Sequence, residues 1–198
     1  GDHNVYLGTD AGKSDTTSNG TGNTANNNVA IGRQAGYVLT TGETNVLLGR
    51  GSGNALTTGN QNIMIGRCAG KLAVGSSCNI FLGNYAGQAV TSGSCNIIMG
   101  RWAGSCVETG IDNVYIGDGA GAYSIGCRNV FIGRSAGRSC ESADQAGAID
   151  HIAIGYQAGF CLDDAVSNTF LGKEAGKQVT SADNIIAIGK MALSAEDT

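Results

Sequence analysis

The 198-residue chain repeats one short phrase eleven times. Aligned on the glycine that ends each apolar triplet, the anchors are Gly8, Gly32, Gly49, Gly66, Gly83, Gly100, Gly117, Gly133, Gly155, Gly172 and Gly189. Their spacings are 24, 17, 17, 17, 17, 17, 16, 22, 17 and 17. A period of this size marks a unit too small to bury its own apolar face, so copies must stack on one another. The two longest intervals carry insertions, KSDTTSNGTGNTANN over 13–27 and RSCESADQAGAID over 138–150.

Each unit reads Asn, aliphatic, apolar, aliphatic, Gly, two variable residues, Ala, Gly, then a variable stretch often ending Thr-Thr-Gly. The triplets are rich in β-branched residues, and each unit holds two to four glycines, which cost about 1 kcal/mol apiece inside a helix. Strands joined by tight turns are therefore expected. The fold class is all-β, a parallel β-solenoid of about eleven 17-residue coils, as a single repeat domain over 1–198. In a strand, alternate side chains share a face. The residue before each anchor and the one two earlier are expected to point inward. The middle residue (Tyr6, Leu47, Phe81, Tyr115 and their equivalents) then faces outward in an apolar stripe. A stripe of that size needs a cover, and the simplest one is the same stripe on another copy of the chain.

The remaining positions fit stacked coils. Glycine at the anchor and four residues later suits corners with positive φ or close backbone approach. Leu39, Leu56, Ala73, Val90, Val107, Leu162 and Val179 supply an opposite apolar wall. The asparagine heading each triplet is expected to stack into a structural ladder: Asn28, Asn45, Asn62, Asn79, Asn96, Asn113 and Asn129, with Asn4 and Asn168 at its ends. Such a ladder satisfies backbone groups that water cannot reach. His151 replaces it once.

Composition removes several classes. There are 33 glycines but no proline and no Gly-X-Y period, which excludes collagen. Hydrophobic residues make up 41% of the chain, too many for a disordered one. A net charge of −4 argues against nucleic acid as a partner. No run of eighteen apolar residues exists, so membrane insertion is not expected. The sequence opens inside the repeat, without an initiator Met, and reads as a segment of a longer fibre chain.

The phrases NVAIGRQAG, HIAIGYQAG and IIAIGKMA resemble the head repeats of trimeric autotransporter adhesins and related repeats of bacteriophage tail fibres. The resemblance covers nearly the whole chain. It implies a left-handed β-roll in which three chains pack around a common axis. The adhesin-head unit is shorter and not usually cysteine-bearing, and the longer unit with TTG turns is closer to the phage-fibre version. On this reading the chain is a structural and adhesive segment of an extracellular, virion or cell-surface fibre. Its partners are its own copies, adjacent fibre segments and a host glycan or surface receptor.

Seven cysteines are present. Cys78 and Cys95 occupy the same repeat position in successive coils, about 4.8 Å apart, within disulfide range. Cys140 with Cys161 and Cys106 with Cys127 are further candidate pairs in neighbouring coils, leaving Cys68 over. The alternative is that most are small buried apolar side chains. No metal-ligand spacing, cofactor motif or catalytic constellation is found, so no enzyme is expected. The acidic residues sit mostly in turns, where solvated carboxylates are the default.

Two surface features stand out. The residue after the anchor is basic in seven copies: Arg33, Arg50, Arg67, Arg101, Arg134, Lys173 and Lys190. Tyr85 and Trp102 take equivalent positions beside that rail. Candidate ligand-binding residues are therefore Tyr85, Arg101, Trp102, Arg67 and Arg134, with an anionic glycan or lipopolysaccharide as ligand. The competing reading is ordinary surface solvation and packing against a loop or partner chain. A carbohydrate-binding module is thus one alternative function. A monomeric ice-binding solenoid is another, although its threonines lapse in several coils. Asn19-Gly20-Thr21, in the first insertion, is a formal glycosylation acceptor.

Overall fold

A computed structural model describes residues 3–13, 24–139, 148–162 and 165–194. Most of both insertions, including the Asn19 acceptor, lies outside the described residues. The eleven triplets form strands of three residues each. They are β1 (Val5–Leu7), β2 (Val29–Ile31), β3 (Val46–Leu48), β4 (Ile63–Ile65), β5 (Ile80–Leu82) and β6 (Ile97–Met99). β7 (Val114–Ile116), β8 (Val130–Ile132), β9 (Ile152–Ile154), β10 (Thr169–Leu171) and β11 (Ile186–Ile188) complete the series. They make one parallel sheet in sequence order, in register throughout: Ile63 pairs Ile80, which pairs Ile97. The molecule is a parallel β-solenoid.

Every strand is bonded on both sides except at the ends. Ile63 N donates to Asn79 O in the next coil at 2.8 Å, and Gly66 N donates to Leu48 O in the previous one at 2.8 Å. Turns are laddered in the same way, as in Tyr85 N to Arg67 O at 2.9 Å. Two positions in each full coil take left-handed φ, mostly without being glycine: the residue before the asparagine, such as Gln61 at 57°, and the residue two after the anchor, such as Tyr85 at 61°. That conformation costs about 1–2 kcal/mol at each residue. At this φ the residue donates its N–H to the preceding coil, as Gln61 does to Glu43 O at 2.9 Å and Tyr85 to Arg67 O.

The facing of the triplet is the reverse of the sequence expectation. The middle residue points inward: Leu47, Met64, Phe81, Ile98, Tyr115, Phe131 and Phe170 are all fully buried. The two flanking residues point outward, so Ile63 and Ile65 are each 38% exposed while Met64 between them is 0% exposed. The asparagine dictates this. It is buried at the head of the strand, and alternation from an inward asparagine puts the next residue out and the one after it in. The corner alanines and the wall of Leu39, Leu56, Ala73, Val90, Val107 and Leu162 close the core from the other sides.

Core volume varies along the rod and is matched locally. Tyr115 and Phe131 stack with centroids 5.1 Å apart. Where Tyr115 reaches across, the opposite wall carries Ser124 in place of an aliphatic residue. Burial pushes the Tyr115 phenol far above its usual range.

Candidate functional site

The asparagine ladder runs from Asn4 to Asn129. Asn79 shows the pattern: its backbone N–H and its Nδ2 both donate to Asn62 Oδ1, at 3.1 and 3.2 Å, and Nδ2 also donates to Gly93 O at 3.0 Å. One side chain thus bridges the strand, the previous coil and the opposite turn. These residues hold the scaffold and are closed to ligands.

The outward face of the sheet is apolar along its length except at Thr169. One row runs Val5, Val29, Val46, Ile63, Ile80, Ile97, Val114, Val130, Ile152, Thr169, Ile186, and the other runs from Leu7 to Ile188 through Ile, Leu and Met. All of these are half-buried or exposed. The single expected stripe is therefore a pair of stripes, made by the residues that sequence reasoning had placed inside.

All seven residues of the basic rail are exposed, at the corner that follows each strand. The rail is interrupted at Asn84, Asp118 and Tyr156. Around its middle it gains aromatic character. The Arg67 guanidinium lies 5.3 Å from the Tyr85 ring centre. Tyr85 stacks on Trp102 at 4.2 Å and 8°. The stack arises because both side chains leave equivalent left-handed positions in successive coils.

At the next coil the column stops, because the equivalent residue is Gly119. A cleft of about 390 Å³ opens there, between Trp102 on one side and Arg134, Ser135 and Arg138 on the other. Tyr123 flanks it, with the Arg138 guanidinium 5.5 Å from its ring centre. Arg101 donates to Asp118 at 2.8 Å, and that hydrogen bond holds its guanidinium above the usual range. Of the five candidate ligand residues, Arg67, Tyr85 and Trp102 form the column, while Arg101, Trp102 and Arg134 line the cleft. Sequence reasoning missed Gly119, Tyr123 and Arg138. The available signal was the sixteen-residue spacing from Gly117 to Gly133, where Tyr123 takes a φ of 67° to close a shortened coil.

The cysteine expectations are corrected in part. Cys78 and Cys95 lie in register in adjacent coils but are free thiols, with Cys78 Sγ donating to Gln61 Oε1 at 3.4 Å. Desolvation and the neighbouring Cys78 hold the Cys95 thiol above its usual range. Cys106 and Cys127 are also free, because they fall on different corners: six residues after one anchor, ten after the next. Cys127 Sγ instead accepts from Ile111 N at 3.5 Å. Cys140, the expected partner of Cys161, lies outside the described residues. Cys68 is a buried free thiol.

Among the described residues, no group of three His, Cys, Asp or Glu side chains is arranged to hold a metal ion. Among the same residues, no helix is long and apolar enough to cross a membrane. The hydroxyls of Thr40, Thr57 and Thr91 donate to carbonyls of the following coil, at 3.1, 3.1 and 3.0 Å. No family model matches the chain, and neither does any curated protein or solved structure.

Proposed function

We propose that this chain is a rigid segment of a homotrimeric fibre on a virion or cell surface, spacing and presenting whatever lies beyond it. The observation that carries the reading is the pair of outward apolar rows on the sheet. They repeat at the coil spacing of about 4.8 Å over eleven strands, a rod of roughly 50 Å. A surface with that period is matched along its length by an object of the same period, and a second copy of the chain is such an object. Completing the burial of each half-exposed Val or Ile is worth roughly 1 kcal/mol, summed over two rows. The likeness of the repeats to trimeric adhesin heads and tail fibres favours three copies and a left-handed coil. Threonine hydroxyls already engaged by carbonyls do not offer the open array that an ice-binding solenoid needs.

Light scattering under native conditions, with and without reductant, tests the assembly. A mass near three times the 20.0 kDa chain is expected in both. Ile97→Lys with Ile116→Lys, on the two rows, should lower it to one chain without unfolding the coil. A wild-type monomer would sink the proposal.

A second reading, carbohydrate binding, is favoured by the aromatic column and the cleft at its end.

A further inference from the structure

We infer that the cleft beside Trp102 is a binding site for an acidic sugar unit of a glycan. The inference stands apart from the trimer, because it rests on a corner of the coil and not on the sheet face.

One face of the Trp102 indole is covered by Tyr85, in a stack whose 4.2 Å separation follows the coil spacing. The other face looks along the rod toward Gly119, which stands in register in the next coil and donates its N–H to Arg101 O at 2.9 Å. Gly119 has no side chain to continue the column, and Ala122, buried in the lining of the cleft, has only a methyl group. Trp102 is consequently 42% exposed at a position where a second aromatic ring would otherwise cover it. The next bulk along the rod belongs to the coil of Arg134 and Arg138, two coil spacings or about 10 Å from the Trp102 coil. The gap admits one flat ring against the indole.

The absence of a side chain at 119 is not forced by the backbone. Its φ of 65° is close to the 59° of Trp102 and the 61° of Tyr85. A Cβ built there would meet only Ser135 Oγ, at 3.7 Å. The notch is thus open where neighbouring coils accept a bulky side chain at the same φ, although glycine there also relieves the left-handed strain.

The polar lining selects the ligand class. Three guanidiniums, from Arg101, Arg134 and Arg138, face the cleft against one carboxylate, Asp118, which Arg101 already engages. Arg134 and Arg138 have no ion pair among the described residues, and Arg138 is held over the Tyr123 ring. They suit a ligand carboxylate, which a guanidinium binds through paired hydrogen bonds. Asp118 and Ser135 suit the hydroxyl donors and acceptors of a sugar, and the Asp118 carboxylate disfavours a polyphosphate. The apolar face of a pyranose ring fits the open indole. An aromatic platform with a few placed polar groups is the usual composition of a small-ligand site.

The chain has a single tryptophan, so its emission reports this site alone. The intact protein is titrated with sialyllactose and trigalacturonate, with lactose as the neutral counterpart and AMP as a flat anionic ring without a sugar acid. Saturable change in emission with at least one acidic saccharide, about tenfold tighter than lactose or AMP, is expected. Arg134→Ala with Arg138→Ala should erase that preference. Gly119→Tyr continues the column into the notch and should abolish binding, with circular dichroism and solution mass unchanged. No saturable response to either acidic saccharide, tighter binding of AMP, or undiminished binding by Gly119→Tyr would each overturn the inference. The mass of the same samples shows separately whether the trimer holds.

Discussion

His151 shows how narrowly the ladder defines each residue. It sits where every neighbouring coil has asparagine, and it reproduces the asparagine's two roles with ring nitrogens. Nδ1 accepts from Asn168 N at 3.1 Å, and Nε2–H donates to Ala165 O at 2.7 Å. This tautomer requires the neutral ring, since a proton on Nδ1 would face a backbone donor. Burial holds the imidazole below its usual range, with Asp150 and Asp183 pulling weakly the other way. Because the folded pKa lies below the unfolded value of about 6.5, the unfolded chain takes up the proton first. The resulting loss of stability begins as pH falls through about 6.5 and ends once the folded ring also protonates. Urea unfolding at pH 7.5 and pH 5 should show a larger loss for the wild type than for His151→Asn. The substitution should also add about 1 kcal/mol at pH 7.5, by supplying the missing Nδ2 bond to Asn129. An equal pH response in both proteins would remove His151 from the account. The ladder itself was legible in the sequence because an amide recurring at one phase of a stacked repeat has few other uses.

At the scale of one coil, glycine has two distinct jobs. Gly83, at φ 137°, lies where a Cβ would come 2.6 Å from the carbonyl oxygen of Gly100 in the next coil. Gly119, by contrast, is spacious. Gly83→Ala should cost about 3 kcal/mol or more, combining backbone strain with a clash against main chain. Gly119→Ala should cost only about 1–2 kcal/mol, the left-handed strain that neighbouring coils accept at ordinary residues with no clash added to it. The two urea midpoints, measured together, check the contrast, and equal losses would contradict it. Strand positions were readable to the residue, since the apolar triplets and the strands coincide. Their facing was not. The uniform Val and Ile at the flanks looked like core, and the varied middle residue looked like surface. The reverse holds because the interior must fit different neighbours at each level, as Tyr115 does with Ser124, whereas the outer rows keep one character along the rod. Alternation from the buried asparagine already contained the answer. The site was half visible for a related reason. Period alone brings Tyr85 and Trp102 together, but the notch beside them is made by missing side chains, and GDGAG reads as one more repeat copy.

Among the described strands, each packs only against the strand before it and the strand after it. Each coil touches the one before and the one after, so the fold is close to one-dimensional and its cohesion is a sum of neighbour terms. Of the described strands only β1 and β11 leave an edge open, and their Leu7 and Ile188 are among the most exposed apolar residues, each at 64%. The hydrogen bonds that tie the coils run parallel to the rod, not across it. This sets how a single chain bears tension. Pulled from its two ends, it carries the load on one coil boundary at a time, as a zip does, and yields from an end at low force. Each yielding coil pays out about seventeen residues, or roughly 55 Å of thread. Stretching one chain should therefore record a staircase of small, nearly equal steps. One large rupture would mean that the coils fail together, and a staircase would leave lateral contact with sister chains as the element that makes such a thread a strut.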